Sequence, residues 1–82
     1  MSTNITAAAA ALYSIRIVRK ADVIDGKVSV ETYQGGSDET ESEWLARLDA
    51  EAGEIDCIAR SFGLRRVAGS NAGTSAQVLV YG

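Results

Sequence analysis

Between positions 44 and 62 the chain spaces Trp44, Leu45, Leu48, Ala52, Ile55, Ile58, Ala59 and Phe62 at intervals of three and four residues. That period is the apolar stripe of an amphipathic α-helix. Thr40 and Glu43 precede it as a capping box, the threonine hydroxyl reaching the N3 amide and the glutamate returning to the cap. Gly63 follows Phe62, where a left-handed residue commonly closes a helix. A helix with one apolar stripe needs a surface to cover it, and the rest of this 82-residue chain must supply that surface. Two features fit less well: Gly53 costs ~1 kcal/mol relative to alanine, and Glu51 falls at the edge of the stripe. A kink or short break around positions 50–54 is expected to accommodate both.

The flanking segments have the period of strands. In "LYSIRIVRK", from Leu12, the residues Tyr13, Ile15 and Ile17 alternate with Ser14 and Arg16. Asp25-Gly26 then separates two β-branched runs, the strongest short signal for a hairpin with a type I′ turn. The second strand runs from Lys27 to about Gln34, with Val28, Val30 and Thr32 on one face and Ser29, Glu31 and Tyr33 on the other. After the helix, "LRRVAG" and "TSAQVLVYG" read as two strands joined by the "GSNAG" turn. In the last strand Ala76, Val78 and Val80 are assigned to the core face.

The expected fold is therefore α+β and two-layered, a four-stranded antiparallel sheet with one main helix in the order β-β-α-β-β. Residues 1–10 are expected to form a flexible N-terminal arm, because Ile5 is their only bulky aliphatic group besides Met1 and the alanines of 7–11 make too short a helix alone. Residues 11–82 form a single α+β domain. The sheet face away from the helix would carry Leu12, Val18, Tyr33, Leu79 and Tyr81. Such a patch invites a homodimer or another partner, unless these side chains are scattered at strand ends.

Composition limits the chemistry. The chain has no histidine and one cysteine, Cys57, so neither a Ser-His-Asp nor a Cys-His nucleophile system can be built, and ordinary structural zinc sites are excluded. Cys57 lies on the polar side of the helix among carboxylates, which dull it as a nucleophile. "GGS" and "GSNAG" match neither a phosphate-binding loop nor a dinucleotide fingerprint. The expectation is a non-enzyme with no catalytic residues, no metal and no cofactor. One cysteine suits a reducing compartment, and the opening segment has neither a basic n-region nor a span-length apolar run. A cytoplasmic protein with no membrane attachment is expected.

Charge is the remaining lead. Residues 35–56 hold eight carboxylates against the single Arg47, a net −7 within a chain of net −3. Asp38, Glu39 and Glu41 complement the positive end of the helix dipole. Glu43 with Arg47, and Asp56 with Arg60, are spaced as i,i+4 ion pairs. Dipole complementarity covers only the first turn, however, whereas the excess continues through Asp49, Glu54 and Asp56. Two readings stand: a solvated outer face, or a surface for a basic partner made by Glu43, Asp49, Glu54, Asp56, Asp38, Glu39 and Glu41. Arg16, Arg19, Lys20, Arg65 and Arg66 offer a basic counterpart, but overall acidity and the lack of an aromatic-rich recognition run disfavour nucleic acid.

With "DETESEWLARLDAEAGEID" as an acidic helix beside the hairpins "IVRKADVIDGKVSV" and "LRRVAGSNAGTSAQVLV", the chain resembles phage-encoded anti-CRISPR proteins, particularly inhibitors of type I systems. The resemblance lies in size, element order and charge. It implies an inhibitor, in the host cytoplasm, that occupies a DNA-binding surface of a type I CRISPR surveillance complex. The alternative is a small phage accessory or structural protein that oligomerises through its open sheet face.

Overall fold

The computed structural model describes residues 4–71 and 74–82. Its elements are α1 (Ile5–Tyr13), β1 (Val18–Ile24), β2 (Lys27–Thr32), α2 (Glu41–Ser61), β3 (Arg66–Ser70) and β4 (Val78–Tyr81). The strands form one sheet in the order β1-β2-β4-β3, with every neighbouring pair antiparallel. The main helix and four-stranded antiparallel sheet of the expected α+β fold are present, preceded by one additional helix.

That additional helix corrects the reading of the N-terminal segment. From Ile5 the expected arm is helical, and Asn4 caps it by accepting the Ala7 amide at 3.0 Å. Ala8, Ala9 and Leu12 are buried, and α1 packs on β1, β2 and α2. A helix this short gains its stability from packing, and alanine lets its backbone approach the sheet closely. Met1, Ser2 and Thr3 lie outside the described residues. The strand expected from Leu12 is also displaced: Leu12 and Tyr13 end α1, and β1 begins only at Val18. Ile15 and Ile17 sit in the connection, half-buried against the core.

The β1–β2 hairpin forms as its turn chemistry dictates. Asp25 and Gly26 both take positive φ, 52° and 73°, as a type I′ turn requires. Val28, Val30 and Thr32 of β2 are buried, as their alternation indicates. The last strand has the opposite facing from the one expected. Leu79 and Tyr81 are buried while Val78 is exposed, because Val30 pairs with Leu79 and Val28 with Tyr81, and opposite residues share a face. The five-residue open patch therefore does not exist: Leu12, Val18, Leu79 and Tyr81 belong to the core, and only Tyr33 is exposed. The "GSNAG" turn is described only in part, since Ala72 and Gly73 lie outside the described residues.

Helix α2 starts and stops where its signals lie. Thr40 Oγ1 accepts the Glu43 amide and Glu43 Oε1 accepts the Thr40 amide, each at 3.3 Å. At the other end Gly63 has φ 79°, its amide donates to the Arg60 carbonyl at 2.9 Å, and the Leu64 amide reaches the Ala59 carbonyl at 3.1 Å. Those two bonds make a Schellman motif. The helix runs unbroken, so the break expected at 50–54 is absent. Gly53 faces open solvent with nothing near its missing side chain. Leu48, Ala52, Ile55 and Ala59 are buried, Trp44 and Phe62 half-buried, and Leu45 exposed.

Candidate binding surface on the acidic helix

Successive residues of α2 turn by about 100°, which distributes the acidic block around the helix. Glu43 and Glu54 fall within about 20° of one another, as do Asp49 and Asp56, but the two pairs lie on opposite flanks of the buried stripe. The seven candidate residues are therefore not brought together on one face. Their surroundings divide them further.

On the flank of Glu43 and Glu54, Arg47 is the centre of a network. Its Nε and Nη2 donate to the two Glu39 carboxylate oxygens at 2.8 and 2.9 Å, a bidentate pair. Nη1 donates to Glu51 Oε1 at 3.1 Å, and Nη2 also reaches the Ser75 carbonyl at 2.7 Å. Gly35 donates its amide to Ser75 Oγ at 3.1 Å. A β-carbon on Gly35 would meet the Glu39 carboxylate and the Arg47 guanidinium, so any other residue there would make the ends of these two side chains shift. Hydrogen bonding from Arg47 lowers the Glu39 pKa, whereas burial of Glu51 raises that carboxyl despite the arginine. The expected Glu43–Arg47 pair is not made: Glu43 is engaged in the capping box, and Arg47 turns to Glu39 and Glu51.

On the other flank, Asp56 is half-buried. It accepts the Tyr81 hydroxyl at 2.6 Å and pairs with Arg66 at 3.2 Å, tying α2 to β4 and β3. Arg66, rather than the expected Arg60, is thus its cationic partner. Burial first, then the hydrogen bond and charge of Asp56, push the Tyr81 phenol well above its usual range, so it stays a donor. Between Asp56 and the helix N-terminus, Leu45, Asp49 and Ala52 border an open groove of about 660 Å³, closed on its far side by β3.

Asp38, Glu41, Asp49 and Glu54 remain exposed, and no ion pair or hydrogen bond engages their side chains among the described residues. Glu39, Glu43 and Asp56 are committed to structure. Sequence reasoning missed the Arg47 network and the Tyr81–Asp56–Arg66 link; the usable signal was Arg47 itself, the only cation in the acidic block. Among the described residues no group of three or more His, Cys, Asp or Glu is placed to hold a metal ion, and no helix is long and apolar enough to cross a membrane. No protein-family model, curated protein or solved structure matches this chain.

Proposed function

We propose that this is a non-enzymatic binding protein that presents the acidic helix to a basic protein surface, in its most specific form an anti-CRISPR inhibitor of a type I surveillance complex. One observation carries the reading: Asp38, Glu41, Asp49 and Glu54 stay exposed and unpaired among the described residues, while the only cation between residues 38 and 59 is consumed by Glu39 and Glu51. Internal pairing thus leaves the negative field of α2 uncompensated. A field of this sign competes with nucleic acid for a basic groove and speeds encounter with it. The anti-CRISPR form adds the resemblance in size, charge and element order, and takes the DNA-receiving surface of the complex as the target. A host-cytoplasmic location belongs to the same proposal.

The test uses competition. Wild-type protein should displace target DNA from a purified type I surveillance complex, and added salt should weaken the displacement. Replacing Asp38, Glu41 and Glu54 together by lysine should abolish it while circular dichroism stays unchanged. Among the described residues those three side chains make no hydrogen bond or ion pair that the reversal would break. Equal inhibition by the reversed variant would remove the helix as the binding surface. Failure of the wild type to displace DNA would remove the anti-CRISPR form.

A further inference from the structure

The sheet has two edges, and they are finished differently. Edge β1 carries Arg19, Lys20 and Asp22, with Arg19 paired to Glu31 and Lys20 to Asp22 at 3.4 Å. Charges of this kind discourage strand addition. Edge β3 is exposed along all five residues, and from Val67 to Ser70 it has no charge. Val67 is 55% exposed, and Leu45 across the groove is 44% exposed. The hydrogen-bond alternation identifies the unsatisfied backbone. Arg65 and Gly82 exchange both bonds, 3.2 and 2.9 Å, so the Arg66–Tyr81 and Gly69–Leu79 pairs are non-bonded ones on either side of the irregularity at Val67. The amides and carbonyls of Arg66 and Gly69 therefore point away from β4, along the free edge.

Charge identifies what fits this edge. Asp56 lies beside Arg66, and Asp49 lies two helical turns, about 10 Å, nearer the helix N-terminus. Helix α2 thus runs antiparallel to β3, with Asp49 towards the Gly69–Ser70 end of the groove. Arg60, Arg65 and Arg66 gather at the opposite end. One end of the edge is acidic and the other basic. An antiparallel partner strand related by a two-fold axis reverses the order of the ends, so each basic end meets an acidic one. We infer that β3 pairs with β3 of a second copy of this chain, continuing the sheet across a two-fold axis, with Val67 on the paired edge, Leu45 in the shared groove, and Arg60, on the same flank of α2 as Asp49, set against Asp49 of the partner subunit. This inference uses the β3 edge together with Leu45 and Asp49 of α2, and leaves Asp38, Glu41 and Glu54 to the proposed basic partner, so the two are tested separately.

Equilibrium sedimentation of the full chain tests the assignment. The wild type should reach twice its 8.6 kDa mass, and Val67→Lys should be monomeric with unchanged circular dichroism. Asp49→Arg and Arg60→Asp should each weaken association by about tenfold, and the double variant should restore it to within about threefold. Exchange of the Gly69 amide should slow as protein concentration rises. A wild type that stays monomeric to about 1 mM overturns the proposal and leaves the edge to a foreign extended strand. A dimer that survives Val67→Lys with Gly69 unprotected also overturns it, since another surface must then hold the copies.

Discussion

On one side of its buried stripe, α2 uses Arg47 to hold Glu39, Glu51 and the Ser75 carbonyl. On the other, Leu45 and Asp49 stand over an open groove, and the Asp56–Tyr81–Arg66 link near the C-terminal end crosses to the sheet. Both flanks carry carboxylates, so acidity does not distinguish them. What differs is whether a cation with several donors meets a backbone segment that can close over it. The guanidinium has five N–H groups in a fixed fork and engages two carboxylates and a carbonyl at once. Among the described residues Asp49 has no such neighbour, which makes its flank the one available for association.

The stripe between the flanks sets the scale for any test. Leu48 is 4% exposed and its carbonyl accepts the Gln77 side-chain amide at 2.7 Å. Leu48→Ala should cost ~2–5 kcal/mol in chemical denaturation. A cost below ~1 kcal/mol would mean that the two flanks are not held together by this core. Next in size comes the locked flank. Arg47→Ala should destabilise by ~1.5–3 kcal/mol, because hydrogen bonds from a charged donor are lost and a carbonyl is left without its partner. An effect no greater than that of a free surface residue would erase the distinction between the flanks.

The Asp56 link on the open flank should matter less. Tyr81→Phe removes one hydrogen bond and leaves Asp56 its pair with Arg66, so ~1 kcal/mol is expected. Acid titration separates Glu39 from Glu51. Glu39 has its pKa lowered in the folded chain, so its contribution is present above the usual glutamate value of 4.5 and is lost as pH falls below it towards the folded value. Glu51 is raised, so its ionisation opposes folding as pH climbs past 4.5, and it offsets part of the Glu39 slope. Denaturation followed from pH 6 to pH 3 should therefore show a steeper acid loss in Glu51→Gln than in the wild type. A shallower loss would reverse the assigned directions. Smallest of all, Asp49→Lys should change monomer stability by less than ~0.5 kcal/mol.

Locally encoded features were legible in the sequence. The capping box at Thr40 and Glu43, the left-handed Gly63 and the Asp25-Gly26 turn each depend on a few adjacent residues, and each forms as its chemistry requires. The buried faces of α2 and β2 were legible because polar residues interrupt their apolar ones at the right period. In β4, Val78-Leu79-Val80-Tyr81 has no polar residue to mark its outer face, so only pairing with Val28 and Val30 decides that Leu79 and Tyr81 turn inward. The alanines of α1 carry too little apolar area to announce burial, and a nine-residue helix becomes stable only against the sheet.

The candidate surface divides in the same way. That α2 would be acidic was determined by composition alone, and so was the shortage of cations to neutralise it. Which carboxylates remain free was decided by folding, because Glu39 lies eight residues from Arg47 and Ser75 lies twenty-eight away. Asp56 likewise meets Tyr81 and Arg66 only once β3 and β4 are laid beside the helix. Sequence spacing reaches neighbours within one helical turn, whereas a guanidinium or phenol finds its partner wherever packing brings a carboxylate within about 3 Å.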